Sequence, residues 1–319
     1  MALLYRYTAC VEKLLALVGP TAVGKTAVGI ALAERLNGEL ISADAVAVYK
    51  KLDIGSAKPT QDEQARVRFH LIDVAEPTDD FTMTDFERLA SAAISEIRSR
   101  GKLPILLGGT GLYVRAVTSE LSIPAAAPQP EFRAARWAEV EEFGAPWLHA
   151  KLAVVDPPSA AKIQPGDGKR IIRALEVFEV TGQPLSSFHT PEGVHGILKP
   201  GVQILGLDRE REALYERIDR RVDQMMTEGF IAEVRQLLDS GVPRDAKSLI
   251  SLGYRHLVQF HCDEVSLEDT VAMIKRDTRR YAKRQLSWFR NDPAVNWTNI
   301  KEGDSAEDVA ERLEIGISV

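Results

Sequence analysis

Residues 14–26 read LLALVGPTAVGKT. Its first five residues, from Leu14 to Val18, are apolar without a break and end at Gly19-Pro20, as a strand buried on both faces does when it enters a turn. From there G-x-x-x-x-G-K-[ST] is complete: Gly19, Pro20, Thr21, Ala22, Val23, Gly24, Lys25 and Thr26. Such a loop turns backbone N–H groups towards phosphate oxygens, adds the charge of its lysine and offers a threonine hydroxyl to Mg2+. Residues 27–36 follow at helical spacing and close at Asn37-Gly38. The positive end of a helix therefore abuts the loop. Strand, glycine loop and helix in this order make residues 19–26 a phosphate-binding P-loop. The pattern leaves open whether a nucleotide is hydrolysed there.

Further strands are expected at residues 40–42, 103–107 and 202–207, the last followed by a helix over 210–228. Alternating strands and helices imply an α/β fold: a P-loop NTPase-like parallel sheet with helices on both faces. Residues 119–200 differ. They open on a proline-rich linker from Pro124 to Pro130 and show helical patterns with no convincing strand. The organisation expected is a core in two parts, 1–118 and 201–319, interrupted by a mostly helical insertion, 119–200. Residues 267–289 are helical again until Asn291-Asp292-Pro293 breaks them.

The bulk numbers bound the function. With 319 residues, 45% of them hydrophobic, the chain can bury a sizeable core. A net charge of -6 does not mark a nucleic-acid binder as a whole, so charge must be read locally. Two distant cysteines, Cys10 and Cys262, read as unpaired thiols, and no Cys/His cluster has zinc spacing. The opening MALLYRYT is too short and broken for a secretory segment, and no long apolar run follows. A cytoplasmic, monomeric protein with no membrane span is expected.

Asp44 and Thr110 each follow a strand, at the edge where open α/β sheets bind ligands. Asp44 can act as a general base or cap the next helix; Thr110 can reach the crevice or merely close its glycine-rich loop. Asp73 reads equally as a magnesium-binding acid, a cap or a turn residue. Arg217 and Arg221, four apart on a helix, share a face suited to phosphate, or belong to a solvated face with Glu212, Glu216 and Asp219. Residues 275–290 hold one acid among many bases, with Arg276, Arg280 and Arg284 in a stripe beside Lys283. Tyr281 and Trp288 lie on a neighbouring stripe. Bases with aromatics suit an RNA backbone and an unstacked base; a solvated basic face with aromatic anchors is the alternative. A second cluster, Lys169, Arg170 and Arg173, lies in the insertion.

Together these residues resemble the bacterial tRNA dimethylallyltransferases, also called tRNA isopentenyltransferases. The resemblance runs from about Leu14 to Trp297. It is carried by the P-loop, Asp44 with Tyr49, residues 52–59 (LDIGSAKP), 70–73 (HLID), 108–113 (GGTGLY), 170–177 (RIIRALEV), 253–255 (GYR) and 281–290 (YAKRQLSWFR). It implies transfer of a dimethylallyl group from dimethylallyl diphosphate to N6 of the adenosine 3′ of the anticodon. The P-loop, Arg217 and Arg221 would hold the diphosphate, with Mg2+ on Thr26. Asp44 would be the general base, Thr110 would lie at the reacting centre, and Lys25 and Arg217 would steady the leaving group. The anticodon stem-loop would be met by Asp44, Ala45, Val46, Ala47 and Thr110. In the insertion it would be met by Arg133, Lys169, Arg170 and Arg173. Further on, Gly253, Tyr254 and Arg255 would meet it, then Arg280, Lys283, Arg284, Gln285, Trp288 and Arg290. The base would be flipped, because a stacked base hides its amine. The sequence departs from the family at Ala45 and Ala47, where many members carry Ser and Gln, so two side-chain hydrogen bonds to tRNA are absent. Phe69-His70 replaces a frequent histidine pair. A small-molecule or nucleotide kinase, prenyl transfer to a free adenine nucleotide, and an RNA-binding protein with a regulatory P-loop are the rival readings.

Overall fold

The structure is a computed structural model describing residues 13–120, 124, 126–188, 196–262 and 264–317. Cys10 lies outside the described residues; Cys262 is a free, partly buried thiol. The chain divides into two compact units, one of residues 1–118 and 198–319, the other of residues 119–197.

The first part of the larger unit runs β1 (Leu14–Val18), α1 (Lys25–Arg35), β2 (Gly38–Ala43), α2 (Gln61–Arg66), β3 (Phe69–His70), α3 (Met83–Ser99), β4 (Leu103–Gly108) and α4 (Gly111–Thr118). The smaller unit holds β5 (Ser119–Glu120), α5 (Pro130–Phe143), α6 (Ala145–Val155), α7 (Pro157–Lys162) and α8 (Gly168–Thr181), and the chain leaves it at β6 (Ile197–Leu198). The larger unit resumes with β7 (Val202–Arg209), α9 (Arg211–Glu228), α10 (Phe230–Asp239), α11 (Tyr254–His261), α12 (Leu267–Arg290), β8 (Val295–Ile300) and α13 (Ala306–Ile315).

Six strands form one parallel sheet in the order β3-β2-β4-β1-β7-β8. Alternate residues feed two cores. Leu14, Ala16 and Val18 of β1 join Ile41, Leu106 and Ile204 on one face. Leu15 and Leu17 join Leu40, Ile105 and Leu205 on the other, under α1 and α13. This is why β1 reads as a continuous apolar run: both faces are covered. A leucine buried as fully as Leu17 stabilises the fold by about 2–3 kcal/mol.

Two sheet strands escape the sequence pattern. β3 has two residues, and β8 has a polar, partly exposed middle at the sheet edge. In the smaller unit Leu148, Leu152, Ile171, Ile172 and Ala174 make a separate core. Glu176, fully buried there, accepts from Arg133 Nε at 2.7 Å, Arg173 Nη1 at 2.6 Å and the Gln129 N–H at 2.7 Å. These bonds, Arg133 first, outweigh burial and hold its carboxyl down at about 2. Among the described residues, no helix is long and apolar enough to cross a membrane.

Candidate active site

The parallel strands end together on one edge, and three loops meet there. After β1, Gly19 has φ 150, and a Cβ on it would meet the Leu207 carbonyl at 2.6 Å. Gly24, at φ 113, ends the loop as the N-cap of α1. That N-terminus carries no side-chain cap and no acid in its first turn, whereas α2, α3 and α13 each have a full capping box. Its open N–H groups are what an anion would occupy. Ala22 sits at φ 63, a costly conformation for a residue with a Cβ, and its carbonyl accepts from Arg217 Nε at 2.9 Å. One arginine of α9 therefore braces the strained corner of the loop.

Lys25 Nζ folds back onto the carbonyls of Gly19 at 3.0 Å and Pro20 at 2.8 Å. Burial and the charge of Arg221 lower its pKa to about 7, against a raising influence from Asp44. Burial also lowers Arg221, with Arg217 adding to it and Asp44 opposing. Arg217 is lowered by burial, then by Arg209 and Arg220. Among the described residues no carboxylate forms an ion pair with Lys25, Arg217 or Arg221. Arg209 ends β7, and its buried Nε has no hydrogen-bond partner among the described residues. Crowded cations without carboxylates are destabilised until an anion arrives. The position of Arg209 at a strand's carboxyl end was the available sign of this fourth cation.

Asp44 follows β2. Its Oδ1 accepts the N–H groups of Val46 at 2.8 Å and Ala47 at 3.1 Å, and its other oxygen has no partner among the described residues. No helix starts here, so Asp44 is not a helix cap: one oxygen closes a turn and the second is left over. Thr110, just after β4, accepts the Ala45 N–H at 3.2 Å and donates its own N–H to the Ala43 carbonyl at 3.3 Å. The β2 and β4 loops are stapled together beside the carboxylate. Tyr281 of α12 lies beside Thr110 and Gln285; burial and Asp44 push its hydroxyl up to about 12, so it stays protonated. Its helical stripe was visible in the sequence, its place in the site was not.

Several expected tRNA contacts have other partners. Tyr254 is fully buried edge-on against Phe230 and its hydroxyl donates to Glu233 at 2.7 Å, so it is a core residue. Gly253, at φ 91, packs beside Phe230. Gln285, 6% exposed, bonds Thr21 and Gly109, and Ala47 is buried. Arg133 and Arg173 bind Glu176 in their own unit, where Lys169 and Arg170 are exposed. Trp288 packs on Gly111. On α11 and α12, Arg255, Arg276 and Arg280 share Asp277 with His256, while Arg290 pairs with Asp208. Lys283 and Arg284 are exposed with no carboxylate partner among the described residues. Asp73 is a turn residue at φ 58 whose carboxylate pairs with Lys58, so the structure does not support it as the magnesium acid.

Among the described residues no three His, Cys, Asp or Glu side chains gather to hold a metal ion. Thr26, partly buried in the P-loop, fits a Mg2+ ion whose remaining ligands are phosphate oxygens and water, the arrangement that ion prefers with a phosphorylated substrate.

A P-loop whose edge carries an unspent carboxylate and crowded cations suits a ligand that carries phosphate. The IPP transferase family model matches residues 47–292, and the chain belongs to that family. It is 45% identical to the tRNA dimethylallyltransferase of Geobacillus kaustophilus (strain HTA426), over 94% of this chain and 95% of the relative. It is 45% identical to that of Bacillus subtilis (strain 168), over 89% and 90%. The full-length tRNA isopentenylpyrophosphate transferase of Bacillus halodurans has a similar structure, with TM-score 0.69 and 42% identity over 95% of this chain and 96% of that one. A eukaryotic dimethylallyltransferase acting on tRNA aligns at TM-score 0.75 and 27% identity, over 94% of this chain and 75% of that one.

Proposed function

We infer that the chain is a tRNA dimethylallyltransferase: it moves a dimethylallyl group from dimethylallyl diphosphate onto N6 of the adenosine 3′ of the anticodon. The observation that carries this reading is the presence, on one sheet edge, of Asp44's unspent oxygen and a cluster of cations that form no ion pair with a carboxylate among the described residues. Such an edge suits a reaction that releases diphosphate on one side and a proton on the other. A kinase reading has no comparable support, since the relatives named above are tRNA dimethylallyltransferases.

In the proposed mechanism the diphosphate lies on the open N-terminus of α1, with Lys25, Arg217 and Arg221 around it. Lys25 exchanges its carbonyl partners for phosphate oxygens and takes up a proton as the anion arrives. When bound at Thr26, Mg2+ would neutralise part of the charge on the departing diphosphate. As the bond from carbon to N6 forms, the carbon–oxygen bond to diphosphate breaks, and the N6 proton passes to Asp44. The Val46 and Ala47 N–H groups orient that carboxylate. Thr110 and Tyr281 are placed to position the base. Exposed Lys283 and Arg284 of α12, and Lys169 and Arg170 of the helical unit, are offered to the RNA backbone. The enzyme would act as a cytoplasmic monomer.

The test is incubation with dimethylallyl diphosphate, Mg2+ and unmodified tRNA. Digestion of the tRNA should release prenylated adenosine. Its absence from tRNAs that carry adenosine at that site would sink the reading.

A further inference from the structure

Gln285 stands on the buried stripe of α12, three residues after Ala282 and four before Phe289. A carboxamide in that position must find partners for a carbonyl and an amino group. Oε1 accepts the Thr21 N–H at 2.8 Å, and Nε2 donates to the Gly109 carbonyl at 2.9 Å. Thr21 belongs to the P-loop, and Gly109 precedes Thr110 in the β4 loop. The fit is close: a Cβ on Gly109 would meet Gln285 Nε2 at 2.1 Å, and one on Gly111 would meet Trp288 Nε1 at 2.2 Å. The Tyr281 hydroxyl lies beside the same carboxamide.

We propose that Gln285 is a positioning residue of the donor site: its carboxamide clamps Thr21 of the P-loop to Gly109 of the β4 loop, so that α12 sets the shape of the diphosphate cradle. The proposal rests on the donor-site reading above. It also replaces the direct tRNA contact that family resemblance assigns to Gln285, because so buried a side chain has little surface to offer RNA. The helix that presents Lys283 and Arg284 outward thereby holds the donor loops inward. Tilting α12 on RNA binding would move Thr21 and Gly109 together.

The test uses the whole chain with inorganic diphosphate plus Mg2+ as one probe and unmodified tRNA as the other. Gln285→Met keeps the length and removes both hydrogen bonds. It should weaken diphosphate binding roughly tenfold and leave tRNA affinity within about twofold. Gln285→Glu keeps the acceptor but sets a carboxylate against the Gly109 carbonyl. It should be weak above neutrality and recover, relative to wild type at the same pH, once the carboxyl is protonated and donates again. A packing defect would not be reversed by a proton, and the methionine variant should show no recovery. Lost tRNA affinity with unchanged diphosphate affinity would overturn the clamp and restore an RNA contact; two unchanged affinities would overturn it as well. Hydrogen exchange at the Thr21 amide, measured without ligand, should quicken roughly tenfold in Gln285→Met. Unchanged exchange defeats the clamp whatever binds. Failure of the wild type to bind diphosphate would count against the donor-site reading instead.

Discussion

Two groups of cations lie in this chain, and they are held in opposite ways. At the sheet edge Lys25 and Arg217 donate to backbone carbonyls, Arg221 repels both neighbours, and none of the three forms an ion pair with a carboxylate among the described residues. Along α12 five of the seven cations pair with an aspartate: Lys275 with Asp223, Arg279 with Asp219, Arg276 and Arg280 together with Asp277, and Arg290 with Asp208. In low dielectric an unneutralised cluster is costly and its anion must be supplied from outside, so it is selective for a small, highly charged ligand. Paired surface cations contribute little to stability and exchange partners readily, which suits a long polyanion met at many points.

The largest effect that would test this contrast lies at Asp44. Asp44→Asn keeps an oxygen to accept the Val46 and Ala47 N–H groups, so the turn survives while the base is lost. Turnover should fall about 10²- to 10⁴-fold with tRNA affinity preserved. Single-turnover prenylation and filter binding on the same preparation check this, and turnover close to wild type would remove Asp44 as the base.

Lys25 comes next. Its pKa is lowered to about 7 in the free site and should rise when diphosphate displaces the two carbonyls. Below that pH the lysine is already charged and binding takes up no proton. Above it the neutral lysine must be protonated, so affinity should drop by up to about tenfold per pH unit. Calorimetry in buffers of different ionisation enthalpy would read the proton directly. Lys25→Arg, charged throughout, should show no uptake from this position.

Sequence and structure agree best where the backbone carries the information. The apolar run of β1, the two P-loop glycines and the strand ends before Asp44 and Thr110 follow from local pattern, because each needs only its neighbours. Partners far along the chain could not be read. Arg173 reads as part of a basic cluster and the resemblance assigns Arg133 to RNA, because Glu176 closes on Arg133 only when α5 and α8 pack. Gln285 looked like part of a basic tail, although its spacing from Ala282 and Phe289 places it on the buried stripe. The polar, partly exposed middle of β8 hid an edge strand, since it breaks the apolar run by which the buried strands show themselves. Tyr254 was assigned to RNA from its motif, and the pocket of Phe230 and Glu233 takes it inside instead.

The smallest effect separates the cations of α12 from one another. Lys283 and Arg284 have no aspartate to leave, while Arg280 shares Asp277 with Arg255, Arg276 and His256. Replacing Lys283 or Arg284 by alanine should lower the salt slope of tRNA binding by about 0.7–0.9 each if each neutralises one phosphate. Arg280→Ala should change it less, because Asp277 already offsets part of that charge and retains two other arginines. Asp277→Asn should then raise affinity at low salt, since it frees three arginines at once. Equal slopes for Arg280 and Lys283 would mean that RNA strips the aspartate from its arginines on binding. The distinction between paired and unpaired cations would then hold only for the free protein, and the sheet-edge cluster would differ from α12 by burial alone.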